Sequence, residues 1–460
     1  MEAQEEKYIK MTTAPVEKLI CRLAVPCIVS MLVTAFYNMA DTYFVGMLKS
    51  NAATGAVGVV FSVMAVIQAV GFFFGQGSGN FISRELGKKN EEEAAQMAAV
   101  GFYSALATGV LICVLGQLFL RPLALFLGST QTILPYTEAY MKVILLGAPW
   151  MCASFVLNNQ LRFQGSASYA MVGIVTGAVV NIILDPILIF GCNLGVAGAG
   201  WATILSQLLS FTLLLAGTRK GGNIPLRLKN FRFSGKLYLW IFKGGIPSLA
   251  RQSLASVATI CLNNAAMAYG DAAIAAMGVV QRITMFGASA MLGFGQGFQP
   301  VCGFNYGAGL YARVRRGFWF CVKVSTLGLL VISALGYWFA PRLIALFRDD
   351  AQVVRYGAAA LRYQCLTFCV QGWVVMSNMM EQSMGRTVPA TFLSVARQGL
   401  FFIPLVWILN ACLGFTGIQL TQPAADAVTF LCAIPIQLHV LRCMPDHREK
   451  GSREIFTLRQ

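Results

Sequence analysis

The sequence predicts an all-α polytopic membrane protein, with twelve transmembrane helices arranged as two pseudo-symmetric six-helix bundles. Three observations carry that expectation. Of the 460 residues 57% are hydrophobic and only 12% charged, with a mean hydropathy of +0.65, whereas soluble globular chains are about 25% charged. The apolar residues fall in runs of the length, about 20 residues, that crosses the hydrocarbon layer. The second half of the chain repeats the first. A soluble enzyme and a disordered chain are both poor fits to this composition.

The elements follow in order. Residues 1–18 are polar and acidic-rich, which predicts an N-terminal segment on the cytoplasmic side and no cleavable signal peptide. Apolar runs then predict spans near 19–46, 53–80, 94–120, 132–155, 167–190 and 196–217, the first bundle of 19–217. A basic linker covers 218–239. Six more runs, near 240–267, 275–300, 317–343, 355–380, 390–410 and 417–441, make the second bundle of 240–441, before a tail at 442–460.

Charge fixes the expected orientation. The chain carries 35 Lys+Arg against 19 Asp+Glu, a formal charge of +16. On a soluble domain this would point to nucleic acid; here the basic residues lie between apolar runs, so no nucleic-acid partner is expected. With both termini inside, roughly 24 basic residues fall on the inner side against 5 outside, as the positive-inside rule requires. Both termini and the 218–239 linker are therefore expected to be cytoplasmic, the linker as an anchor to anionic headgroups of the lipid bilayer. The inner group includes Arg448, Lys450, Arg453 and Arg459; Lys49 is on the outer side. The 13 cysteines lie singly in apolar stretches with no CxxC pair, and the only histidines are His439 and His447. No resident metal, disulfide or cofactor is expected.

A shift of 220 residues aligns the halves. Gly75-Gln76-Gly77 lies on Gly295-Gln296-Gly297, and about 11 positions of about 36 agree where about three would by chance. Pro26 and Pro247 open the two halves, and with Gln76, Gln296 and Pro186 they are the expected repeat-motif or hinge positions. Each half begins on the same side, so the repeat is parallel, the arrangement of alternating-access transporters.

Carboxylates inside the bilayer are costly and mark function by default. Asp41 and Asp185 each lie about five residues before the outer end of a span, roughly 8 Å below the boundary at 1.5 Å per residue. Tyr37 and Asn181 precede them by four residues and share their helix faces. Thr203, one turn after Ala199, reaches a similar depth on the sixth span. These groups form a hard-oxygen site suited to Na⁺, or to a proton shared between carboxylates. Asn38, Glu381 and Asp426 are secondary candidates, and Arg251, Arg282, Arg362 and Arg397 are possible partners for the last two. The second half has Cys261, Phe401 and Leu405 in place of Asp41, Asn181 and Asp185, so the cation chemistry is expected in the first bundle alone.

These residues carry a family resemblance. The stretch Pro26–Gly46, ending Tyr37-Asn38-x-x-Asp41-Thr42-x-Phe44-Val45-Gly46, is similar to the opening of multidrug and toxic compound extrusion (MATE) transporters. The paired Gly-Gln-Gly segments and Asn181-x-x-x-Asp185-Pro186 resemble that family too, and Arg397-Gln398-Gly399 before Pro404 resembles its MepA-like bacterial branch. The likeness runs over about residues 10 to 445. It implies a V-shaped, two-lobed fold and export of drugs and other xenobiotic, mostly cationic amphiphiles, in exchange for H⁺ or Na⁺. It also implies a cation site at Asp41, Asn181, Asp185 and Thr203, with Ala199 as a backbone contributor and Tyr37 beside it. The second-lobe acids of another branch have no counterpart: the seventh span offers Arg251 and Gln252, and Gly385 is followed by Arg386-Thr387-Val388.

The expected protein is thus a monomeric antiporter of the plasma membrane, in which neutralising Asp41 and Asp185 shifts the balance between two states. Its drug cavity, lined by the first, second, seventh and eighth spans among others, should be rich in methionine and aromatic residues, which repack around varied ligands. The alternatives are a lipid-linked oligosaccharide flippase or a metabolite exporter of the same superfamily. An enzyme is not expected, because no catalytic dyad lies at one depth.

Overall fold

The computed structural model describes residues 2–48 and 50–445; Lys49 and the tail residues His447, Arg448, Lys450, Arg453 and Arg459 lie outside the described residues. Within them the chain is helical with no strand. Helices α1 (Glu2–Thr13), α2 (Val16–Gly46), α3 (Asn51–Gly87), α4 (Glu91–Leu118), α5 (Leu120–Phe126), α6 (Leu134–Phe163), α7 (Ala167–Pro186) and α8 (Gly195–Gly217) make up the first half. The second half holds α9 (Gly235–Met267), α10 (Asp271–Gly307), α11 (Tyr311–Trp338), α12 (Ala340–Phe347), α13 (Ala351–Phe368), α14 (Gln371–Met384), α15 (Thr387–Val395), α16 (Phe402–Leu413) and α17 (Phe415–Arg442).

Local chemistry sets several boundaries. Asn90 accepts the amide of Glu93 at 3.3 Å, and Glu91, Glu92 and Glu93 crowd the first turn of α4, where the helix dipole favours negative charge. Asp350 caps α13 by accepting the amides of Gln352 and Val353, both at 3.0 Å. Gly385 ends α14 at φ +80°, a left-handed conformation that glycine adopts at little cost.

Ten stretches are long and apolar enough to cross a membrane among the described residues. The two remaining expected spans differ from that description. The 240–267 stretch is one continuous helix, α9, but Lys243, Arg251 and Gln252 make it too polar to count with the others. The 355–380 stretch is not one helix: α13 stops at Phe368 and α14 starts at Gln371, whose side chain turns inward onto Asp426. The 390–410 span is interrupted by a wide turn, in which the Phe401 amide reaches back five residues to Ala396 at 3.0 Å. A like turn follows α7 after Pro186, with the Cys192 amide on Ile187 at 2.9 Å. Such widened turns recur where helices carry function.

The described residues fold as two compact units: 2–10 with 25–245, and 11–24 with 246–445. The divisions fall inside α2 and α9, next to Pro26 and Pro247. In the first unit the long, mostly buried α6 packs against α3, α4 and α8, and α7 lies on α8. Its core gathers Ile67, Tyr140, Ile144 and Ile204. In the second unit α10 packs on α11, α13 and α14, while α17 packs on α13 and α16. Leu118, Leu327, Trp338 and Leu431 stay exposed, as a hydrocarbon-facing surface allows.

The repeated Gly-Gln-Gly segments gain a physical reason. A Cβ at Gly77 would run into the backbone of Ile241 in the first unit, and one at Gly297 would meet the backbone of Ala24 at 2.5 Å in the second. Each motif glycine lets a neighbouring helix lie against it backbone to backbone. Gln76 donates to Asn159 at 3.1 Å inside the first unit, and Gln296 is buried in the second.

Candidate functional site

In the first unit α2, α6, α7 and α8 bring a polar cluster together. Asp41 and Asp185 lie close enough for their charges to repel each other. Tyr37 stands within the field of both and meets the Gln207 side chain. Asp185 is fully buried, and neither of its carboxylate oxygens has a hydrogen-bond partner among the described residues. The same holds for Oδ1 of Asp41 and for both polar side-chain atoms of Asn181. Buried polar atoms are normally satisfied, so this concentration of orphaned oxygens is a feature that the fold alone does not explain.

Thr203 is buried beside them. Its hydroxyl donates to the Ala199 carbonyl at 2.9 Å, and Ser206 donates to the Thr203 carbonyl at 2.8 Å. Pro186, lacking an amide hydrogen, ends the regular α7 ladder directly after Asp185. The turn that follows carries the close packing of α8, where a Cβ at Gly198 would meet the Leu188 carbonyl oxygen at 2.6 Å.

Two members of this cluster were not legible in the sequence. Tyr140 on α6 is fully buried, beside Thr203 and within the field of Asp41, Asp185 and Tyr37. Gln207 follows Thr203 by one turn. Nothing in the local pattern of either residue distinguishes it from ordinary helix packing.

A cavity of about 110 Å³ adjoins the cluster within the first unit. Tyr37, Asn38 and Asn181 line it, together with Phe61, Met64, Met151 and Phe155. Asp41 and Asp185 lie one turn beyond Tyr37 and Asn181.

The other acids are placed differently. Asp426 is buried but fully partnered: Arg397 Nε at 2.8 Å and Gln422 Nε2 at 2.9 Å donate to Oδ1, and Gln371 at 2.7 Å and Gln364 at 3.2 Å donate to Oδ2. Glu381 is buried on α14, away from that set, with both oxygens unpartnered among the described residues and the charge of Arg386 nearby.

The comparisons agree with this architecture. The sequence pattern of the MatE family matches residues 26–187 and again residues 247–408, once in each half. The chain belongs to the MatE family. Its MatE repeats thus coincide with the two halves that the Gly-Gln-Gly motifs mark. Among similar proteins, a "Multidrug export protein MepA" of Staphylococcus saprophyticus is 28% identical, over 95% of this chain and 97% of that one. The protein of the same name in Staphylococcus aureus strain NCTC 8325 is 26% identical over 95% and 97%. A solved structure described as the outward-facing conformation of a multidrug resistance MATE family transporter of the MOP superfamily superposes with a TM-score of 0.89. It has 26% identity and covers 95% of this chain and 98% of that one.

Proposed function

We propose that this MatE protein is a multi-pass plasma-membrane antiporter that exports cationic amphiphilic drugs in exchange for H⁺ or Na⁺. The observation that carries the reading is the Asp41–Asp185 pair: two neighbouring carboxylates with oxygens unpartnered among the described residues, the second of them fully buried. Both cannot stay charged without help, because burial and mutual repulsion each disfavour the ionised form. A proton on one carboxylate, or Na⁺ held by Asp41, Asn181, Asp185 and Thr203, relieves both costs. Tyr37 is positioned to share the hydrogen bond of the protonated form. The Ala199 carbonyl becomes an ion ligand only when Thr203 releases it.

Coupling follows from competition. A drug cation favours the pair ionised, whereas the coupling ion neutralises it. The two therefore stabilise opposed states, and a ligand shifts an equilibrium only through such differential affinity. The Phe- and Met-lined cavity beside Tyr37 suits an amphiphile of variable shape. Export as the direction is supported by the naming of the staphylococcal relatives.

The test is drug efflux in everted membrane vesicles under an imposed proton or sodium gradient. Asp41→Asn and Asp185→Asn should each abolish gradient-driven transport. Undiminished transport in both variants would overturn the coupling assignment.

A further inference from the structure

The second unit holds a cavity of its own, about 210 Å³ in volume, lined in part by Gln281, Thr284, Gln371, Arg397 and Gln398. It occupies the place equivalent to the first-unit cavity. Shifting by 220 residues carries Phe61 and Met64 onto Gln281 and Thr284. The same shift carries Met151 onto Gln371 and Gly177 onto Arg397. At these four positions amides, a hydroxyl and a guanidinium replace apolar residues and a glycine; amides and hydroxyls line both hollows, but only the second has an arginine in its wall.

The charge around this second hollow is positive. Asp426 spends both oxygens on four donors, and Arg397 spends only Nε on it. The Nη1 and Nη2 groups of Arg397 have no partner among the described residues. Its side chain is 22% exposed, and the residue lines the cavity. Arg251 lies one turn before Ala255, another lining residue, and its charge acts on Arg397. Neither hydrogen bond nor ion pair is found for Arg251 among the described residues. Asp426 thus answers the charge of Arg397, and no carboxylate is paired with Arg251 among the described residues.

We propose that this cavity is an anion subsite that takes the carboxylate end of a zwitterionic aromatic amphiphile. The proposal rests on the reading of the chain as an exporter of amphiphiles and extends it to a second substrate class. A guanidinium with both terminal NH₂ groups unused binds a carboxylate in bidentate fashion, and Arg251 supplies the balancing charge. Gln281 and Gln398 offer further amide donors, and Met285 and Phe368 offer apolar wall for a ring. At this size, below the about 300–1,000 Å³ of sites that enclose a whole ligand, the cavity holds one end of a molecule.

The experiment uses full-length protein in lipid nanodiscs and a matched pair of dyes, rhodamine B and its ethyl ester, which differ in the free carboxylate. Fluorescence anisotropy, corrected against empty nanodiscs, gives each affinity. Rhodamine B should bind, and benzoate should displace it without displacing the ester. Arg251→Gln, which breaks no ion pair, should weaken rhodamine B about tenfold or more and leave the ester within about twofold. The double variant Arg397→Gln, Asp426→Asn, which removes the pair as a unit, should do the same.

Equal loss of both dyes in the two variants, or indifference of rhodamine B to benzoate and to Arg251→Gln, would overturn the subsite. Gradient-driven efflux of the ester dye tests the export reading separately, since that dye has no anion to place.

Discussion

Arg397 and Asp426 pair at 2.8 Å in the second unit where the first unit has Gly177 and Ser206 at the equivalent positions. This exchange of small residues for charged ones at two positions separates the two halves chemically. In the first half two acids lie near each other, and no lysine or arginine pairs with either among the described residues. In the second half a single acid is tied off by an arginine and three glutamines.

Arg397→Leu should therefore destabilise the protein strongly, by about 3–5 kcal/mol, because it leaves a buried carboxylate without its counter-charge. The double variant Arg397→Gln, Asp426→Asn removes charge from both partners and should cost well under half as much. Thermal unfolding of the detergent-solubilised protein measures both. Equal losses would mean that the pair is not electrostatically coupled.

The motif glycines predict a contrast within one helix. Gly77→Ala pushes a methyl group into the Ile241 backbone and should destabilise by about 1–3 kcal/mol. Gly58→Ala, on the same helix with nothing within 4 Å, should be neutral or stabilising by up to about 1 kcal/mol. Melting temperatures of the two variants should move in opposite directions, or only the first should fall.

Lys7 gives a pH dependence. Its ammonium donates to Asn223 Oδ1 at 2.6 Å and Ser166 Oγ at 2.7 Å, holding α1 against the first unit. Burial first, and then the charge of Lys10, lower its pKa from 10.5 to about 7. A lysine that sheds its proton more readily when docked than when free favours docking as pH rises. Docking of α1 should tighten between about pH 7 and 10.5 and stay level below that window. The mobility of a spin label at exposed position 5 should fall as pH rises through the window, and Lys7→Met should remove the slope.

Much of this was legible in the sequence, and the reasons are physical. Asp41, Asn181 and Asp185 stood out because carboxylates and amides are rare in apolar runs, and helical spacing placed them at one depth. Tyr140 did not, since a tyrosine in a long helix has many ordinary uses and only packing of α6 against α8 brings it to the acids. The break between α13 and α14 was hidden for a similar reason. Hydropathy reads straight through Cys369–Val370, and the cause, Gln371 reaching Asp426 55 residues away, is tertiary. The polar character of α9 was visible in Arg251 and Gln252, but its consequence depended on the cavity beside it.

Tyr140→Phe follows from that tertiary position. The variant keeps the packing volume and removes a hydroxyl next to Thr203 and the acid pair. Thermal stability should change by less than about 1.5 kcal/mol, while the concentration of coupling ion needed for half-maximal transport should shift several-fold. An unchanged ion dependence would place Tyr140 outside the coupling site.

Ion dependence of transport tests the acid pair most directly. Purified protein in liposomes, loaded with a fluorescent cationic amphiphile, should move the dye when a proton or sodium gradient is imposed. Without a gradient the dye should only equilibrate. In Asp41→Asn and Asp185→Asn the gradient should make no difference. Uphill dye movement by the unaltered protein at the same rate with every ion gradient collapsed would contradict the assignment of the acid pair as the coupling element.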